Sequence, residues 1–177
     1  MKNLRLIKRD MSLEAARTEL LESECWVDMD NSYLKGGQTG GSRVIRMRGA
    51  AKEPGFYGDV LESIDLWAWD ELPETRKLLL DFLREVGGEL GRVRVSMIEG
   101  NGGIVPHIDT GKYFTIHERY HIVIQAAKGT KIVCGDEEVV MHENELWWMD
   151  NSIMHHVDNL AESPRIHIVF DIRPSAS

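Results

Sequence analysis

Several features that would fix a class outright are missing from this chain. None of its 177 residues fall in an apolar run of the length, about 18 residues, that a membrane-spanning helix needs. The first ten residues, MKNLRLIKRD, carry positive charge, but no apolar segment follows, so they do not read as a secretory signal. There are only two cysteines, Cys25 and Cys134, and they form no CxxC or zinc pattern; a reduced, cytoplasmic chain is the simpler expectation. Positive charge is in deficit, with 21 Lys and Arg against 29 Asp and Glu and a net charge of −8. Such a surface repels phosphate backbones, so no nucleic-acid partner is expected. The glycine-rich stretch at 34–42, LKGGQTGGS, lacks the GK[ST] ending of a phosphate-binding loop and reads as a connection. No solenoid-length repeat or low-complexity segment occurs.

What is present is an ordinary globular composition, 42% apolar and 28% charged, at a length that fits one domain over residues 1–177. Residues 1–91 read as a helix- and loop-rich region that supports the core and faces substrate. Within it, residues 12–23 predict a helix capped by Ser12, with Leu13, Ala16, Leu20 and Leu21 on one face. Residues 73–86 predict a second, opened by Pro73 and stopped by Gly87-Gly88, with Leu79, Phe82, Leu83 and Val86 as its buried stripe. Residues 92–173 differ in texture. Short β-rich runs at 92–98, 119–126, 130–134, 138–141, 145–149, 153–157 and 165–172 are separated by turn residues. Strands this short and closely spaced predict an antiparallel sandwich or barrel with helices over one outer face.

Pro106-His107-Ile108-Asp109 contains an H-x-D pair. In extended chain, residues i and i+2 point to one side, so both side chains can reach one ion. A third ligand is available from His155 or His156. Two imidazoles and one carboxylate on one hemisphere form the facial triad of non-haem Fe(II) oxygenases, whose open positions admit a chelating 2-oxo acid and O2. A structural zinc site would instead fill its shell. Only one of the two adjacent histidines can face inward. Arg165 lies ten residues after His155 and nine after His156. A cation across a hairpin from the last ligand, suited to a distal carboxylate, favours His155.

With these residues in place, the stretch 92–173 resembles the aspartyl/asparaginyl β-hydroxylase family, whose relatives include bacterial proline hydroxylases. Ser96 stands eleven residues before His107; PHID supplies His107 and Asp109; Arg119-Tyr120-His121-Ile122 matches an R-x-H-[IL] strand; HHVDN at 155–159 matches H-x-V-x-N; Arg165-Ile166-His167-Ile168 with Asp171 matches the closing strand. The resemblance implies a double-stranded β-helix (a jelly roll, cupin-like), mainly β with flanking helices. It implies a 2-oxoglutarate-dependent hydroxylase using Fe(II), 2-oxoglutarate and O2, acting on an amino-acid or peptide side chain of Asp, Asn or Pro type. It implies metal ligands His107, Asp109 and His155. Arg165 and Ser96 would hold the distal carboxylate of 2-oxoglutarate, and Arg119 and His121 would lie near its chelating end.

Two other classes stand beside this one: a metal cupin enzyme without a 2-oxo acid, and a non-catalytic module that kept the barrel. Individual residues also have plainer readings. His121 and His167 would serve as hydrogen-bonded core histidines, His117 and His142 as solvated loop residues. Trp67 and Trp69 share a face if extended, and Tyr113 and Phe114 would be either a lid or surface aromatics. A small molecule or short peptide is the expected partner.

Overall fold

The computed structural model describes residues 2–29, 42–51, 57–126 and 128–175; of the glycine-rich stretch at 34–42, only Ser42 is among them. Twelve strands and four helices are seen among the described residues. The strands are β1 (Leu4–Lys8), β2 (Val27–Asp28), β3 (Arg43–Ala50), β4 (Ser63–Asp65), β5 (Glu89–Ile98), β6 (Gly102–His107), β7 (Glu118–Gln125), β8 (Thr130–Cys134), β9 (Glu137–Val139), β10 (Leu146–Met149), β11 (His155–Asn159) and β12 (Arg165–Arg173). The helices are α1 (Glu14–Glu22), α2 (Ala68–Glu71), α3 (Pro73–Val86) and α4 (Lys112–Ile116). A major sheet runs in the order β1-β10-β7-β12-β5-β3-β2, with β4 on β3; a minor sheet runs β6-β11-β8-β9. All pairings are antiparallel. The result is the expected jelly roll.

The major sheet is built on a strict alternation. Along β12, Ile166, Ile168, Phe170 and Ile172 join one apolar cluster, while Arg165, His167 and Asp171 are buried polar residues between them. Tyr120, Ile122 and Ile124 of β7 and Val93, Val95 and Met97 of β5 belong to the same cluster. So do Leu20 of α1 and Leu79 and Phe82 of α3, so the helices cover this outer face of the sheet. Burial of each such side chain contributes about 1.5–3 kcal/mol. Because successive residues point to opposite faces, the inner face receives the polar residues. A second, smaller cluster, including Leu4, Ile98, Val123, Ile132 and Val157, draws on both sheets and closes one part of the space between them.

Several expectations are corrected at the level of elements. The first 91 residues are not only helix and loop: β1 and β3 are strands of the major sheet. Helix α1 has Leu13 at its N-cap with no side-chain hydrogen bond, so Ser12 is not the cap; Leu21 is 52% exposed. Val86 of α3 is also exposed. Trp67 and Trp69 do not lie on one extended face. Their segment turns into α2, leaving Trp67 exposed and Trp69 buried. Cys25 and Cys134 are both buried and free.

Helix α3 also receives its N-terminal cap from outside its own sequence. The Glu19 carboxylate of α1 accepts hydrogen bonds from the backbone N–H groups of Glu74 and Thr75, both at 2.8 Å, and from the Thr75 hydroxyl at 2.7 Å. An anion satisfying unpaired N–H groups at the positive end of a helix is worth about 1 kcal/mol. We predict that Glu19→Ala lowers unfolding stability by about 1–2 kcal/mol in urea titration, without altering far-ultraviolet circular dichroism at low denaturant.

Candidate active site

His107 ends β6 and His155 opens β11, and the two are antiparallel register partners. Their ring centroids lie 4.3 Å apart. Asp109 follows just beyond β6, its backbone N–H donating to the Asn151 carbonyl at 3.2 Å. His107 Nε2 lies 3.8 Å from Asp109 Oδ1, and His155 Nε2 lies 3.9 Å from Asp109 Oδ2. One donor atom from each residue falls within 4.8 Å of the other two. In both rings Nδ1 faces a backbone carbonyl: Val105 at 2.9 Å for His107 and Ile153 at 2.8 Å for His155. A carbonyl only accepts, so Nδ1 carries the proton and the Nε2 lone pair is aimed at the shared centre, the usual arrangement for metal-ligating histidine. His156 points elsewhere, with its Nε2 3.5 Å from Asp158 Oδ2.

The electrostatics keep His155 and Asp109 deprotonated. Burial lowers the His155 pKa to about 4, opposed only in part by the Ile153 carbonyl and Asp109. Burial by itself would raise Asp109, but Arg119, His155 and neighbouring cations together bring it below the usual carboxylate value. Two imidazoles and a carboxylate gathered on one side fit a divalent ion with open positions opposite.

Arg119 is the second anchor. Its Nε donates to Asp171 Oδ1 at 2.9 Å and its Nη2 to Asp171 Oδ2 at 3.2 Å, while Nη1 contacts the Asp109 carboxylate. Burial would weaken this guanidinium's hold on its proton, but Asp171 and Asp109 outweigh that and raise its pKa above the ordinary arginine value. The Arg119 fork is thus fixed by the buried Asp171 on β12 and in turn orients Asp109.

Deeper between the sheets lies a cavity of about 30 Å³ lined by Ser96, His121, His155 and Arg165, among others. That is room for about two waters, the footprint of a carboxylate. Arg165 is 2% exposed, and its Nη2 donates to His167 Nδ1 at 2.7 Å. Burial, then the charge of Arg94, lowers its pKa to about 9, and among the described residues no carboxylate pairs with it. The Ser96 hydroxyl, the Arg165 Nε and both ring nitrogens of His121 are buried without a hydrogen-bond partner. Leaving such groups unpaired costs about 1–3 kcal/mol each; an anion seated among them would satisfy the Ser96 hydroxyl, the Arg165 Nε–H and the one N–H of His121. Above this cavity a cleft of about 560 Å³ opens past His107 and Asp109, sharing Arg94, Ser96 and Arg119 with it.

All seven residues singled out from sequence, His107, Asp109, His155, Arg165, Ser96, Arg119 and His121, therefore line one connected space or its floor. His167 is the partner of Arg165. Two expectations fail. His117 is not a solvated loop residue but is buried, with Nδ1 2.8 Å from the Tyr113 carbonyl. Tyr113 is neither lid nor surface aromatic. It is fully buried, stacks on His117 at 3.8 Å, and its hydroxyl accepts from the Arg92 backbone N–H at 2.7 Å. Sequence reasoning also passed over Arg46 and Arg94, which line the cleft. Their signal was the arginines interspersed with apolar residues in RVIRMR and RVRVS.

A jelly roll with two histidines and a carboxylate converging from β6 and β11, above a buried arginine, defines the class of double-stranded β-helix proteins with a facial metal-donor set. The chain belongs to the aspartyl/asparaginyl β-hydroxylase family, whose model matches residues 67–174. Among curated proteins it is 25% identical over 83 residues to L-proline cis-4-hydroxylase of Rhizobium meliloti (strain 1021), a match over 47% of this chain and 30% of that protein. Its fold is similar to that of a 2OG-Fe(II) oxygenase family oxidoreductase from Burkholderia pseudomallei, with a TM-score of 0.66 at 14% identity over 99% of this chain and 87% of the other. It is similar also to HygX from Streptomyces hygroscopicus, solved with nickel and 2-oxoglutarate bound, with a TM-score of 0.63 at 12% identity over 98% and 83%.

Four buried histidines make stability depend on pH. Burial is the leading cause that lowers the pKa values of His117, His121, His155 and His167. Folded values below the unfolded value of about 6.5 mean that the unfolded chain binds more protons as pH falls through that value. Stability is therefore complete above it and is lost on acidification. His155, with its pKa lowered to about 4, should remove on the order of 1 kcal/mol between pH 7 and 5.5, and His117, His121 and His167 act in the same direction. Urea unfolding of the metal-free protein should show a correspondingly lower midpoint at pH 5.5, with the slope unchanged.

Proposed function

We propose that this chain is an Fe(II)- and 2-oxoglutarate-dependent dioxygenase that hydroxylates a C–H bond of an amino-acid or peptide side chain, with release of succinate and CO2. One observation supports this reading above the others. Arg165 is a buried guanidinium with no carboxylate partner, set beside the orphaned Ser96 hydroxyl at the floor of the space that the three donors face. A metal cupin that uses no 2-oxo acid has no need of that cation.

In this reading His107, Asp109 and His155 hold the metal through Nε2, carboxylate and Nε2. Arg165 and Ser96 receive the distal carboxylate of 2-oxoglutarate by a charge-assisted fork and a hydroxyl donor. Arg119 and His121 stand by the chelating end. His121, kept neutral by burial and by the arginines around it, offers one N–H donor. Asp171 fixes Arg119, and Arg119 fixes Asp109, so the acidic ligand is oriented before any metal arrives. When bound, Fe(II) with 2-oxoglutarate and O2 supplies the oxidising chemistry. The protein supplies orientation and a site shielded from bulk water.

The substrate enters from the 560 Å³ cleft, whose wall includes β3 from the first 91 residues. The relative named L-proline cis-4-hydroxylase and a fold neighbour named prolyl-4-hydroxylase, from Pseudomonas putida, support an amino acid or short peptide as the substrate class. Free, buried thiols fit a cytoplasmic setting, with burial pushing Cys134 up to about 11.

The test is succinate formation from 2-oxoglutarate, dependent on added Fe(II). His155→Ala should reduce it by at least about a hundredfold, whereas His156→Ala should stay within about tenfold of wild type. Equal loss from both, or turnover that proceeds without a 2-oxo acid, contradicts the assignment.

A further inference from the structure

Two buried arginines on the inner face of the major sheet are oriented by opposite means. Arg119 is gripped by a carboxylate, Asp171, through Nε at 2.9 Å and Nη2 at 3.2 Å. Arg165 has a histidine instead: its Nη2 donates to Nδ1 of His167 at 2.7 Å. Among the described residues no carboxylate pairs with Arg165, and the charge that acts on it is another cation, Arg94.

The strand itself supplies that acceptor. Arg165 and His167 stand two residues apart on β12 and so point to the same face. His167 faces Ser96 across β5 and Val123 across β7, is 1% exposed, and meets the His121 ring edge-on at 5.8 Å between centroids. The inner cavity is lined by Arg165, Ser96 and His121, and His167 is not among its described walls. The imidazole therefore stands behind the guanidinium rather than beside an occupant of the cavity. An arginine only donates, so Nδ1 offers its lone pair and the single ring proton sits on Nε2. Burial, then the Arg165 charge, holds this ring neutral. The nature of the acceptor has consequences. A carboxylate in its place would fix the guanidinium as firmly but cancel its charge. An apolar ring would leave the charge but release the fork and orphan another N–H. A neutral imidazole orients the fork and leaves its charge whole.

We infer that His167 is a positioning residue for the cosubstrate: as a neutral acceptor it aims the Arg165 guanidinium at the inner cavity while leaving the full positive charge for the distal carboxylate of 2-oxoglutarate. This rests on the proposed oxygenase function, in which Arg165 receives that carboxylate, and adds a residue that touches neither metal nor cosubstrate. Arginine binds a carboxylate well only when its planar fork is held in the plane of the two oxygens. His167 fixes that plane from behind, and its placement opposite Ser96 keeps the second proposed donor in the same layer.

The experiment compares three variants of the full chain under anaerobic conditions. H167N keeps a neutral acceptor at the same number of bonds from Cα as Nδ1, H167D keeps the acceptor but adds a negative charge, and H167F keeps a ring without an acceptor. Fe(II) affinity is measured by competition with a coloured chelator, and 2-oxoglutarate affinity by the visible absorption that forms when a 2-oxo acid chelates the bound iron. Fe(II) affinity should stay within about threefold of wild type in all three, which also shows that the interior has kept its fold. For 2-oxoglutarate, H167N should remain within about threefold of wild type, H167F should bind about tenfold more weakly, and H167D at least about a hundredfold more weakly. A purely structural role would move the two affinities together, so Fe(II) binding lost in step with 2-oxoglutarate binding overturns the inference. H167N as weak as H167F overturns the role of the acceptor, and H167D as tight as H167N overturns the role of the charge. Wild-type affinity for 2-oxoglutarate in both H167F and H167D overturns the inference and leaves the oxygenase reading standing. A wild type that takes up Fe(II) but gives no absorption with 2-oxoglutarate overturns that reading and this role together.

Discussion

Packing of the helices α1 and α3 against one face of the major sheet is the interaction on which the rest depends. It consumes every second side chain of β5, β7 and β12 as apolar contact. The remaining side chains are forced to the other face by the two-residue period of the strand. Ser96, Arg119, His121, Arg165, His167 and Asp171 are all on that face, and all are buried. A one-residue slip in any of these strands would exchange the two sets and place arginines in the helix interface. The apolar cluster therefore sets register and, through register, the chemistry of the interior.

The polar interior is organised around two arginines in opposite situations. Arg119 is fully compensated: Asp171 and Asp109 neutralise it, and its bonds transmit the rigidity of β12 to the loop that carries Asp109. Arg165 is uncompensated, with a histidine nitrogen as its hydrogen-bond partner. Buried charges without partners are costly, so an uncompensated one beside further orphaned polar atoms marks a place where a ligand completes the network. One arginine shapes the protein, and the other, in the proposed function, receives an anion.

The convergence of His107, Asp109 and His155 was legible in sequence because local rules fix it. In H-x-D the two side chains share a side, and in His155-His156 strand alternation admits only one of two. The core of the helix face was legible for the same reason, since period-two and helical spacings are visible in 92–98, 165–172 and 73–86. Strands β3 and β6 were not. RVIRMRGA carries three arginines in eight residues, so its cleft face looks like surface, and GGIVPH carries two glycines and a proline that normally argue against a strand. Glu19 as the cap of α3, and the Tyr113 hydroxyl buried against the Arg92 backbone, depend on segments distant in sequence meeting in space. No local pattern encodes those contacts.

The central claim is that three side chains from β6, its following loop and β11 share one metal ion whose open side faces a carboxylate seat at Arg165. Anaerobic titration of the full chain with Fe(II) and 2-oxoglutarate tests it most directly, because chelation of ferrous iron by a 2-oxo acid produces a visible charge-transfer absorption. The account predicts that the band saturates at one equivalent of each component, disappears in His107→Ala, and requires a much higher 2-oxoglutarate concentration in Arg165→Gln. A band that survives His107→Ala, or a 2-oxoglutarate dependence unaltered by Arg165→Gln, would contradict it.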